Sequence, residues 1–178
     1  MRDLPIKNTE LYEFWNSWKT ANTKYQSMCP GNHLHFPEPL FKVIAKMIDP
    51  SLTEEGKNSY DFDGNIEVKS STTKKGVTPF KSTQSNCKRI LFFRIVDEKM
   101  EYYDITDKDK LKRINNEIRN SKNGNITLAN YTDAIEPQII VIEKVNNIFY
   151  VRYPLRVFLG IFCQYSLVEV LHHIHFQT

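Results

Sequence analysis

The 178-residue chain has only six glycines, and none is grouped into a phosphate-cradling loop, so no nucleotide cofactor is expected. Its three cysteines, Cys29, Cys87 and Cys163, are odd in number and scattered without metal-type spacing. That usage points to a reduced, cytoplasmic protein. No cysteine or serine is spaced with a histidine in a way that suggests a covalent nucleophile. The first residues, Met1-Arg2-Asp3-Leu4-Pro5, lack the apolar run of a signal peptide. The apolar segment 155–174 is interrupted by Arg156, Gln164, Glu169, His172 and His173, which argues against a membrane span. There is no internal repeat and no low-complexity linker.

A hydrophobic content of 40% and an aromatic content of 12% are enough for one compact domain with a sizeable core. We divide it into a helical N-terminal part (1–35), a central core (36–153) and an apolar C-terminal segment (154–178). The net charge of +3 is only mildly basic, but its distribution is uneven. Lys69, Lys74, Lys75, Lys81, Lys88, Arg89 and Arg94 fall in a stretch with no acid, a strip suited to meeting phosphate.

The chemistry concentrates in Tyr60-Asp61-Phe62-Asp63-Gly64-Asn65-Ile66-Glu67-Val68-Lys69. A three-residue turn, Asp63-Gly64-Asn65, with positive φ at Gly64 or Asn65, would pair Phe62 with Ile66 and set Asp61 opposite Glu67. Alternation then puts Lys69 on the face of the two acids, and Tyr60, Phe62, Ile66 and Val68 on the other, toward a core. Opposed carboxylates about 5 Å apart repel unless a cation sits between them. Mg2+ suits that place, because it takes one or two carboxylates together with water and phosphate oxygens. The acid-x-Lys pattern itself is common: Glu55-Gly56-Lys57 and Asp97-Glu98-Lys99 repeat it, but without strand alternation or a paired acid. The competing interpretation of the middle copy is a solvated charged hairpin face.

Asp61, a turn, and Glu67-Val68-Lys69-Ser70 together resemble the PD-(D/E)xK nuclease motif in the form found in the PvuII-like branch of type II restriction endonucleases. Tyr60 stands in place of the motif's proline. Asp61 and Asp63 are both candidates for the first acid, and face geometry favours Asp61. The resemblance extends over about residues 36 to 145. It implies an α/β fold with a restriction-endonuclease-like mixed central β-sheet flanked by helices. It also implies Mg2+ held by Asp61, Glu67 and the Val68 carbonyl, catalysis by Asp61, Glu67 and Lys69, and a homodimer on double-stranded DNA. Phe80–Asn86 stands in the place of the family's base-reading strand, within a polar stretch over Val77–Asn86 where Lys81, Ser82, Thr83, Gln84, Ser85 and Asn86 offer donors, with Lys88 beside it and Asn130 as a second reader.

Elsewhere, helical spacing of Leu11, Phe14, Trp15, Trp18 and Tyr25 predicts a helix over 9–25, its aromatic stripe facing a core or a second subunit. A second helix is expected from Pro39 to Asp49-Pro50, with Leu40, Val43, Ile44, Met47 and Ile48 on one face and Glu38 as an exposed acid at its start. His33 and His35 sit in the preceding loop. Arg89–Val96 should be a central strand and Met100–Ile105 its partner. Thr106 should cap a third helix burying Leu111, Ile114 and Ile118. Hairpin strands are expected over Gln138–Val145 and Ile148–Tyr153, and a buried helix over 155–178 whose His172, His173 and His175 do not form a persuasive metal site. The expected activity is Mg2+-dependent cleavage of DNA at a short palindrome. The alternatives are a structure-selective nuclease, such as a junction resolvase or nicking enzyme, and an inert DNA-binding module.

Overall fold

A computed structural model describes residues 8–54, 60–145 and 148–152. The expectations for the C-terminal segment, its histidines and Cys163 lie outside those residues. The centre is a five-stranded mixed sheet of β1 (Ile66–Ser71), β3 (Arg89–Val96), β4 (Lys99–Ile105), β6 (Gln138–Val145) and β7 (Ile148–Arg152), neighbours in that order. β1 runs parallel to β3 and the remaining pairs are antiparallel. A separate two-stranded ribbon joins β2 (Val77–Pro79) to β5 (Asn125–Thr127).

The nearly continuous apolar run of β3 is explained by burial on both faces. Leu91, Phe93 and Ile95 pack on one side with Met100 and Tyr102 of β4, under helices α1 (Asn8–Met28) and α2 (Glu38–Ile48). Ile90 and Phe92 pack on the other with Tyr103 and Ile105, under α3 (Lys108–Asn120). The turn between β3 and β4 needs only Asp97 and Glu98, both with positive φ (50° and 61°), as a two-residue hairpin requires.

α1 is longer at both ends than the expected 9–25. Its Leu11, Trp15 and Trp18 bury into the sheet-facing core, with Trp15 and Trp18 stacked and Phe36 edge-on to both. Phe14 is left 40% exposed. The stripe is therefore spent largely within the chain. α2 starts at Glu38 with Pro39 in its first turn and ends at Asp49.

Three local expectations need correction. The third helix is capped by Asp107, not Thr106: the Asp107 carboxylate accepts the Lys110 N–H at 2.8 Å. Asp is as good a cap as Thr and stands one residue nearer the first turn. Residues 80–86 do not form a strand. β2 stops at Pro79, which has no N–H to continue a ladder, and Ser82–Gln84 winds into a 3-10 turn. Tyr60 does not join Phe62, Ile66 and Val68; it packs against the α3-side cluster instead.

Candidate active site

The hairpin forms as its composition dictates. Phe62 and Ile66 exchange both backbone hydrogen bonds, 3.1 and 3.2 Å, around Gly64 (φ 79°) and Asn65 (φ 61°). Among the described residues, this bridge and one between Phe62 and Glu54 are the pairings before the turn, and Asp61 lies outside any named strand. It is nevertheless held firmly, because Asp61 Oδ2 accepts the Val68 N–H at 2.8 Å. Phe62 and Val68 are fully buried on the α1–α2 side. Asp61, Glu67 and Lys69 all line one cavity of about 610 Å3, to which the start of α2 and Phe80 also contribute. Asp63 is exposed, gives its N–H to Thr53 O, and does not line that cavity. Asp61 is thus the acid that meets Glu67.

The charged face is not solvated. Glu67 is 2% exposed and Lys69 7%. Two buried, opposite charges adjacent on one strand need each other, and Lys69 Nζ lies 2.7 Å from Glu67 Oε1. The Lys69 ammonium also sits 4.7 Å above the Phe80 ring, a contact that suits a desolvated cation. Burial pushes the Glu67 carboxyl up to about 7, with the Asp61 charge adding to the rise, and the neighbouring Lys69 and Lys42 only partly offset it. Glu67 Oε2 is buried without a hydrogen-bond partner among the described residues.

Two residues complete the site that pattern reading placed elsewhere or missed. Gln84 is buried, its Nε2 donating to Glu67 Oε1 at 2.6 Å while its Oε1 accepts the Lys81 N–H at 2.8 Å. Its amide is turned inward on Glu67, not outward to a base edge. Lys42 of α2 is ion-paired with Asp61 Oδ1. Burial works against the Lys42 charge, but the hydrogen bond and charge of Asp61 outweigh it, so its pKa is held above the ordinary lysine value. Glu38, four residues before Lys42 on the same helix face, also lines the cavity, but that spacing alone does not point to Asp61.

The remaining expected residues divide. Lys81 is exposed at the cavity rim. Ser82, Thr83 and Asn86 are exposed and Ser85 half-buried on the 3-10 turn and the loop after it. That loop is tied to the hairpin: Tyr60 Oη donates to Thr83 O at 3.3 Å and accepts the Asn86 N–H at 3.2 Å, and Asn65 Nδ2 donates to Asn86 O at 3.0 Å. Lys88 is exposed on the far side of the loop. Asn130 is exposed in the 3-10 turn Leu128–Tyr131 and does not line the cavity. Val68 contributes its N–H to Asp61, but the residue does not line the cavity. Three of the seven cations of the basic strip are spent internally. Lys69 serves Glu67, Arg89 bridges Asp49 (2.7 Å) and Asp104 (2.9 Å), and Arg94 holds Glu101 (2.7 Å).

The donor set suits a hard divalent cation. Two carboxylates share a concave site, one keeps a buried oxygen without a partner among the described residues, and burial raises its pKa even with Lys69 beside it. Among the described residues no cluster of three or more His, Cys, Asp or Glu forms a metal cage. An ion that keeps several waters needs no such cage. Comparison of the chain with known protein families, curated proteins and solved structures found no match. No helix among the described residues is long and apolar enough to cross a membrane.

Proposed function

We propose that the chain is a Mg2+-dependent endonuclease that hydrolyses phosphodiester bonds of double-stranded DNA, a type II restriction enzyme acting as a homodimer at a short palindrome. One observation carries the reading. Asp61, Glu67 and Lys69 line a single cavity, with the lysine buried against one acid and the other acid pinned by the backbone of the same strand. Mg2+, held by Asp61 and Glu67, would supply Lewis acidity worth several kcal/mol to the phosphoryl group. Lys69 Nζ orients a water and offsets charge on the phosphate oxygens, and the Phe80 ring and burial keep competing solvent from the ammonium. Lys42 and Lys81, at the cavity wall and rim, add positive charge for an incoming phosphate.

A second reading is favoured by the inward turn of the Gln84 amide. A nuclease that recognises DNA structure, such as a resolvase or nicking enzyme, needs the same cavity and no base-reading strand at 80–86. Incubation of supercoiled plasmid with the protein and Mg2+ separates these. Discrete fragments support the restriction enzyme, and nicked circles or cut junctions support the second reading. Retarded but uncut DNA leaves only a binding module.

A further inference from the structure

A second cavity, of about 460 Å3, lies between α3 and the loop that follows the 3-10 turn. Lys88, Lys108, Lys112 and Arg119 line it, with Asn115 and Asn116, and no carboxylate does. Lys108, Lys112, Asn116 and Arg119 follow one another at i, i+4, i+8 and i+11, a stripe of α3 about 16 Å long at the usual rise per residue. The acids of the helix are directed elsewhere: Asp107 caps Lys110, Glu117 accepts from Tyr131 Oη, and Asp109 does not line the cavity. Among the described residues, none of the four cations is ion-paired with a carboxylate, in contrast to Lys69, Arg89 and Arg94. Unpaired positive charge is therefore gathered here, where Lys88 of the 69–94 strip joins three cations of α3.

The cavity is tied to the catalytic one. Asn115 takes the Cys87 N–H on Oδ1 at 2.9 Å and returns Nδ2 to Cys87 O at 3.0 Å, and Arg119 donates to Ser85 O at 3.2 Å. Gln84 lines the catalytic cavity and Asn86, two residues on, lines this one, so their Cα atoms are at most about 7.6 Å apart. Phosphates recur every 3.4 Å or so along each strand of a duplex, so a DNA with one phosphate at Lys69 brings its neighbours over this face.

We propose that this α3 cavity binds the sugar-phosphate backbone of duplex DNA flanking the cleaved position, through Lys88, Lys108 and Lys112. The proposal rests on the nuclease reading for its geometry, but its test does not depend on cleavage. Binding of a labelled random-sequence DNA duplex is measured in EDTA over a series of salt concentrations, for the wild type and for Lys108→Gln/Lys112→Gln. Loss of two phosphate contacts lowers the slope of log K against log salt by about 1.8 and weakens binding at low salt. The control is Lys24→Gln/Lys99→Gln, two exposed lysines on other elements, which removes the same charge and retains the wild-type slope. A slope in the α3 variant equal to that of the wild type or of the control overturns the proposal, even if the protein cuts DNA. A reduced slope in a protein that never cuts DNA keeps the α3 site and removes the nuclease reading instead.

Discussion

Gln84 Nε2 donates to Glu67 Oε1 at 2.6 Å, on the same carboxylate oxygen that Lys69 Nζ meets at 2.7 Å. Both donors crowd one oxygen and leave Glu67 Oε2 buried without a hydrogen-bond partner among the described residues. On the nuclease reading proposed above, Gln84 would act on rate through Glu67. Gln84→Ala is expected to lower kcat about 10- to 100-fold, the usual cost of losing a partner that orients a ligand, with the sites of cleavage unchanged. A changed cleavage pattern at normal kcat would return the amide to base reading.

Lys69→Ala should remove most of the proton-handling and charge-offsetting contribution, about 10²- to 10⁴-fold in rate, while DNA binding in EDTA persists. Undiminished cutting would take the lysine out of the mechanism. Lys69→Arg keeps the charge but not the compact ammonium over Phe80, and is expected to restore folding stability without restoring full activity.

The raised pKa of Glu67 makes stability depend on pH. Its folded value of about 7 exceeds the ordinary 4.5. The native state therefore holds a proton that the unfolded chain has released between those values, and the stability it contributes below pH 4.5 is lost as pH rises through 7. The span corresponds to roughly 3 kcal/mol. Denaturant midpoints measured from pH 5 to pH 8 should fall more steeply for the wild type than for Glu67→Gln, and Mg2+ should restore the wild type at pH 8. Parallel curves for the two proteins would show that burial does not perturb the carboxyl.

Lys42 occupies Asp61 Oδ1 with its ammonium, while Asp61 Oδ2 is bound to Val68 N–H. The Lys42 side chain is 37% exposed, so the pair contributes no more than about 1 kcal/mol. Lys42→Ala should free the aspartate and lower the Mg2+ concentration for half-maximal cleavage by about fivefold. A higher Mg2+ requirement would mean that Lys42 helps assemble the metal site.

Gly124 supports the cavity floor from outside. A Cβ there would lie 2.3 Å from Phe80 O, at a φ of +69°. Gly124→Ala should cost at least about 1–3 kcal/mol of strain in a urea titration, and activity should fall as Phe80 shifts beneath Lys69. Gly64→Ala meets nothing within 4 Å and should cost only the left-handed backbone, about 1 kcal/mol. Equal losses at the two positions would contradict the packing argument.

Local pattern was sufficient wherever the determining contacts are near in sequence. The turn at Asp63-Gly64-Asn65, the acid pair with its lysine, the central strand from Arg89 and the buried edge of α3 all follow from alternation, glycine and helical spacing. These are periodicities that the backbone enforces by itself. Tertiary structure decided the rest. It alone brought Gln84 to Glu67, seventeen residues away, and Lys42 of α2 to Asp61. It also turned a charged hairpin face into a nearly dry one, by packing Phe80 and the 3-10 turn over it. Pattern reading assigned the donors of 81–86 to a strand because it could not register that Pro79 ends the ladder and that burial at Glu67 makes a donor there more valuable than one in solvent. The residue types were written in the chain, but which donor met which acid depended on the desolvation that only a folded sheet creates.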